Sequence, residues 1–182
     1  MGLSDAEIVG RVRGGDADAF RFLVARYYAA LLRYAVRMLG NRADAEDAVQ
    51  DTFVRAYRSL GRYDSHRPVD AWLWGILVNR CRTVGAQRGR RERLEADAGA
   101  AACDGIGPFV PAEEPRDPRP ELQRALAQLP ASHREALLLK YQDDRSYEEM
   151  TELTGVSVSA LKMRVKRARE QLEKLLREVY DE

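Results

Sequence analysis

Five prolines crowd the span from residue 108 to 120 (Pro108, Pro111, Pro115, Pro118 and Pro120), at the end of a stretch without amphipathic period that starts at residue 94. No helix interior or central strand tolerates such a run. The 182-residue chain must therefore build its core in two pieces. Residues 1–93 and 121–182 are read as two small domains, and 94–120 as a flexible acidic linker rich in Ala, Gly and Pro. A coil of that length has a root-mean-square reach of about 30 Å.

Both pieces read as helical. Phe20, Leu23, Val24, Tyr27, Leu31, Tyr34 and Met38 recur at steps of three and four, and Gly40-Asn41 ends that helix and caps the next. Val49, Phe53, Val54, Tyr57 and Leu60 continue the pattern. Gly61–Pro68 reads as a loop, and Val69, Trp72, Leu73, Ile76 and Leu77 open a helix that runs into Arg80–Arg91. Trp72 and Tyr57 fall on the packing face, and Trp74 is expected on a more exposed one. Ser4/Glu7, Ser132/Glu135 and Ser146/Glu149 have capping-box spacing. No alternating strand pattern of useful length occurs, so the expected fold class is all-α.

The net charge of +1 hides an alternation. Residues 1–91 carry 16 basic and 10 acidic side chains, residues 92–121 carry 3 and 8, and residues 122–182 carry 11 of each. Local fields decide what binds where, and six of the last basic residues sit within 162–174. Cys81, Cys103, His66 and His133 share no metal-ligand spacing, so neither metal nor cofactor is expected. No apolar run approaches the ~18 residues of a membrane span and no signal peptide opens the chain, which points to the compartment of synthesis.

Residues 146–169 read as a short capped helix, a turn at Gly155 and a second helix capped by Ser157. That is the layout of a helix-turn-helix, whose second helix enters the major groove. With Val158, Leu161, Val165 and Ala168 inward, Ser159, Lys162, Met163, Lys166, Arg167 and Arg169 are left on other faces. Lys and Arg suit guanine acceptors and phosphate, and Ser suits either, so Lys162 and Arg167 are expected among the contacts. A second segment, 55–91, interleaves basic and ring side chains as single-strand binders do. Its loop residues Tyr63, His66 and Arg67 are the candidates for meeting an unstacked base.

In three segments the chain closely resembles the sigma-70 family of bacterial transcription initiation factors, in its extracytoplasmic-function group. They are DAEDAVQDTFVRAYRSL (44–60), WLWGILVNRCR with AQRGRR (72–91), and LPASHREALLLKYQDDRSYEEMTELTGVSVSALKMRVKRAREQL (129–172). The resemblance implies a first domain like sigma region 2, which binds the β′ clamp of core RNA polymerase and recognises and opens the −10 element. It implies a second like region 4, which binds the β flap and reads the −35 element as duplex. The polymerase-facing motif falls on Asp47, Gln50 and Asp51, with Asp44 and Glu46 beside them; local helix-dipole compensation accounts for the early acids but poorly for Asp51. The −10 loop falls on Tyr63–Val69, and the following helix carries Asn79, Arg80, Thr83 and the Arg88, Arg90, Arg91 tail. An anti-sigma factor, release by a stress signal and a bacterial cytoplasmic location are further implications. Thr83, Asp144, Arg145, Thr151 and Met163 depart from the usual family pattern, which bears on which promoter is read.

Other readings are weaker. A stand-alone helix-turn-helix dimer leaves the basic-aromatic loop and long linker without a role. A nuclease holding Mg²⁺ on the 44–51 acids lacks a complementary His or Lys. The expectation is a promoter-binding partner of polymerase, not an enzyme.

Overall fold

The structure is a computed structural model that describes residues 2–97 and 120–180. These form eight α-helices and two short 3-10 turns, with no strand among the described residues. The upstream lobe comprises α1 (Asp5–Arg13), α2 (Phe20–Leu39), α3 (Arg42–Ser59) and α4 (Val69–Asp97). The downstream lobe comprises α5 (Pro120–Gln128), α6 (Ala131–Tyr141), α7 (Tyr147–Thr154) and α8 (Val158–Tyr180). Helix α4 carries four residues past 93, and α5 starts on a proline, whose missing N–H costs nothing at a first helical position. The expected linker otherwise lies outside the described residues, as does Cys103.

Local chemistry sets most boundaries. The Ser4 and Ser146 capping boxes both form, and the Asn41 side chain accepts from the Asp44 N–H at 3.1 Å. Gly40 and Gly155 both sit at φ +71°, the left-handed conformation that closes α2 and α7 without a Cβ clash. Asp144 takes φ +50° in the α6–α7 loop, a conformation Asp accepts more readily than most residues. The Ser132/Glu135 box does not form. Helix α6 starts directly after Pro130, whose carbonyl accepts from the His133 and Arg134 N–H groups, and Glu135 turns inward instead.

The upstream core gathers Ile8, Leu23, Leu31, Tyr34, Val49, Leu73 and Leu77, all fully buried. Of the two tryptophans, Trp72 packs against the core as expected but only in part, and Trp74 reverses its expected place. Trp74 is buried, its ring edge-on to Tyr34 at 5.1 Å, whereas Trp72 is half-exposed. On α3 the inward stripe is made by Ala45, Ala48, Val49, Thr52, Phe53 and Ala56, which turns Val54 and Tyr57 outward. Buried Thr52 satisfies its hydroxyl on the Ala48 carbonyl at 2.7 Å. The downstream core is Leu126, Leu129, Leu139, Met150, Leu161, Val165 and Ala168.

The lobes pack together through α4 on α7 and α2 on α5 and α6. Arg82 on α4 forms two 2.7 Å bonds with Glu135 on α6, whose side chain is only 4% exposed. Arg145 meets Asp70 at 2.6 Å and lies over the Trp74 ring at 5.2 Å. Carbonyls of the α2 C-terminus also find partners across the seam. Arg134 donates to Met38 at 2.7 Å and Gln123 to Val36 at 3.3 Å.

Candidate nucleic-acid interface

The helix-turn-helix is α7, the Gly155 turn and α8. Ser146 accepts from the Glu149 N–H at 3.1 Å, and the Glu149 carboxylate accepts from the Ser146 N–H at 2.8 Å. These bonds hold the Glu149 carboxyl below its usual range. Thr151 returns its hydroxyl to the Tyr147 carbonyl at 2.9 Å, so that group is not left unpaired. Ser157 opens α8, its carbonyl accepting from Leu161 at 2.9 Å and its hydroxyl from Ala160 at 3.4 Å. With Leu161, Val165 and Ala168 buried, Ser159, Lys162, Met163, Lys166 and Arg167 form one exposed strip at helical spacing. Lys162 lies 5.6 Å from the Tyr147 ring, which positions its ammonium at the edge of the strip.

The upstream surface is a groove between α3 and α4, lined by Arg55, Arg58, Arg62, Trp72, Asn79, Arg80 and Thr83. Four guanidinium groups around a partly exposed indole are the makeup that single-strand binders use for a backbone track and a stacking platform. Arg55, Arg58 and Arg62 belong in sequence to the basic run of 55–91, and the fold aligns them as one wall. Trp72 packs against the core as its wheel position predicts, yet keeps part of its ring open to the groove. Thr83 donates to the Asn79 carbonyl at 2.9 Å, which fixes its hydroxyl on the groove floor.

Around this groove the loop residues divide. His66 and Arg67 are exposed. Tyr63 is 8% exposed, packed 4.6 Å from Trp72 with its hydroxyl donating to the Arg67 carbonyl. Burial raises its phenol pKa. Arg13 anchors the loop start by donating to the Leu60 and Tyr63 carbonyls. Tyr63 thus packs against the Trp72 ring within the upstream lobe rather than standing free. Arg90 and Arg91 are exposed and Arg88 half-buried along the end of α4.

The acids of α3 also divide. Asp47 and Gln50 are exposed, and the Asp44 N–H is held by the Asn41 cap. Asp51 bridges Arg55 at 2.8 Å and Arg80 at 2.9 Å, coupling this face to the groove wall. No cluster of three or more His, Cys, Asp or Glu with metal-site geometry occurs among the described residues. Buried Cys81 has its thiol pKa pushed up to about 12 by burial first and Glu135 second, so it is not a nucleophile at neutral pH. No helix among the described residues is long and apolar enough to cross a membrane.

Comparison with known proteins matches Sigma-70 region 2 to residues 23–91 and Sigma-70, region 4 to residues 119–172. The chain is 32% identical to the ECF RNA polymerase sigma factor SigW of Bacillus subtilis, across 94% of this chain and 96% of that one. The chain belongs to the sigma-70 family, in its extracytoplasmic-function (ECF) group. This sigma factor is also 37% identical to the RNA polymerase sigma factor CarQ of Myxococcus xanthus, over 93% of this chain and 95% of CarQ. Among solved structures, RpoE of Bartonella quintana bound to the anti-sigma factor NepR superposes with a TM-score of 0.71 at 28% identity, covering 87% of this chain and 96% of that one. CnrH bound to the cytosolic domain of CnrY gives 0.68 at 31% identity, covering 94% and 96%. As an ECF sigma factor the protein directs core RNA polymerase to promoters and catalyses no reaction itself.

Proposed function

We propose that the upstream lobe binds the β′ clamp through Asp47, Gln50 and Asp51, with Asp44 beside them, and holds the opened −10 strand along the α3–α4 groove. Asn79, Arg80 and Thr83 line that groove, Arg67 and His66 stand at its loop end, and Arg88, Arg90 and Arg91 follow the backbone onward. Tyr63 reaches a base once its loop loosens. The downstream lobe binds the β flap and reads the −35 duplex with Ser159, Lys162, Met163, Lys166 and Arg167. The observation that supports this most is the pairing of two unlike surfaces in one chain. One is an exposed helix face suited to a major groove, the other a basic furrow around an indole suited to single strands. Polymerase makes the two weak sites effectively intramolecular.

The protein acts in the bacterial cytoplasm under an anti-sigma partner that yields to a stress signal; the two solved relatives above were captured with such partners. Run-off transcription with purified core polymerase and a promoter library tests the reading. Transcripts starting at a fixed distance from a shared −35/−10 pair are expected. Core polymerase that gains no start sites from this protein would overturn it.

A further inference from the structure

Helix α1 lies upstream of the matched region 2 segment and carries none of the residues assigned above to DNA or polymerase. It nevertheless reaches the −10 loop. Its last residue, Arg13, donates to the Leu60 carbonyl from Nε at 3.1 Å and from Nη2 at 2.9 Å, and to the Tyr63 carbonyl from Nη2. The same guanidinium stands 5.8 Å from the centre of the Tyr63 ring. One planar fork thus holds both ends of the Leu60–Arg62 turn from which the loop springs.

Beyond that turn the loop is closed by its own bonds. The Arg67 N–H donates to the Asp64 carbonyl at 3.1 Å, the His66 N–H to Asp64 Oδ1 at 2.9 Å, and the Tyr63 hydroxyl to the Arg67 carbonyl. A loop bonded to itself keeps its shape, yet its place in the domain depends on what grips it. Arg13 grips main-chain oxygens. The bond that must open for Tyr63 to swing out is the one from its own hydroxyl, and the hold of Arg13 on the backbone outlasts it. Helix α1 is itself anchored at its other end: Ile8 and Val9 are buried, and Asp5 accepts from Arg26 and Tyr27 of α2. A cation in the last turn also suits the helix dipole. Any cation there would do so, without reaching carbonyls 47 and 50 residues away.

We propose that Arg13 is a positioning residue for −10 recognition: it splints the loop to α1 and so sets where Tyr63, His66 and Arg67 meet the opened strand. This rests on the assignment of that loop to the −10 element. Arg13 acts through the loop, and its side chain is exposed, so replacing it leaves the core intact.

The test uses holoenzyme assembled from core polymerase and the full-length chain. It transcribes a pool of promoters that share one −35 element and carry every single-base change in the −10 element. The readout is the spread in transcript yield between the best and worst −10 sequences. Arg13→Gln is expected to narrow that spread by about threefold to tenfold, with core affinity and dependence on the −35 element unchanged. Arg13→Lys keeps a charge at the helix end but loses the fork, and is expected to show most of the same loss. Arg11→Gln removes an equal charge from an exposed position on the same helix and is expected to leave the profile as in wild type. In the free protein, hydrogen exchange at the Tyr63 and Arg67 amides is expected to quicken by at least about threefold in Arg13→Gln, with α3 amides unaffected. An unchanged spread or unchanged exchange in Arg13→Gln, a wild-type profile in Arg13→Lys, an equal effect from Arg11→Gln, or a uniform fall across −10 and −35 changes overturns the proposal. A His66→Ala, Arg67→Ala variant separates the two ideas. If it narrows the spread and Arg13→Gln does not, only the splint fails. If it too leaves the spread untouched, the loop assignment beneath the splint fails.

Discussion

The α8 strip and the α3–α4 furrow meet solvent in opposite ways. The strip is a plain helix face, each residue positioned by the turn above and below it, and nothing packs over Ser159, Lys162, Met163, Lys166 or Arg167 enough to bury them. The furrow needs two helices and a loop. Its indole is flanked on one side by guanidinium groups and on the other by the carboxylates of α7. If the strip reads duplex and the furrow holds a single strand, as proposed, the first asks only for a stable helix and the second for two helices and a loop held in register. One chain thus carries a surface made by a single element beside one made by several.

The largest test of this contrast is Leu161→Ala, since Leu161 is fully buried at the base of the strip. A cavity there costs ~2–5 kcal/mol. Calorimetry is expected to show the downstream lobe melting first, with the upstream lobe persisting as a separate transition. A single transition lowered as a whole would mean the lobes stand or fall together. Next comes the strip itself: each of Lys162→Ala and Arg167→Ala is expected to weaken −35 duplex binding by ~1–3 kcal/mol if it reads a base. A phosphate contact instead weakens all sequences alike and lowers the salt slope by about 1. Neither variant should alter tryptophan quenching by single strands; a loss there would merge the two surfaces. Ser146→Ala removes the α7 cap and is expected to cost ~1 kcal/mol in a thermal melt.

The smallest expected effect is one of pH. Asp143 lies in the α6–α7 loop, facing Arg145 on its own segment, Arg33, Arg37 and Tyr34 on α2, and Asp70 on α4. Burial, only partly opposed by the arginines, pushes its carboxyl up to about 7. The packed form then holds a proton that the exposed group releases near 4, so the packed form loses stability as pH rises from about 4 to about 7. The melting temperature is expected to fall across that window and Asp143→Asn to flatten the trend. A slope unchanged in that variant would assign the effect elsewhere.

Features governed by neighbours in sequence were legible beforehand. The caps at Ser4, Asn41 and Ser146, the left-handed glycines and the helix-turn-helix follow from residues within four positions of one another. Features governed by packing were not. Trp72 and Trp74 differ by two places on one helix, and what buries Trp74 is Tyr34 on α2 and Arg145 from the other lobe. The α3 stripe reads outward at Val54 and Tyr57 because small Ala45, Ala48 and Ala56 let α3 sit close to its neighbours. Glu135 fits a capping pattern in sequence, yet Pro130 begins the helix unaided and the carboxylate is claimed by Arg82, 53 residues away. Similarly, the packing of α7 on α4 depends on a contact across the linker that no local spacing encodes.

The tail of α2 gives the seam its character. Met38 would leave its carbonyl dangling at a helix end in an isolated upstream lobe, whereas the Val36 carbonyl keeps the Gly40 N–H; here Arg134 donates across to the first and Gln123 adds a second donor to the other. Such oxygens are as content with solvent as with a guanidinium. Parting the halves thus swaps protein donors for hydration at this edge and breaks no turn of helix, so each half can leave the other with its own secondary structure whole.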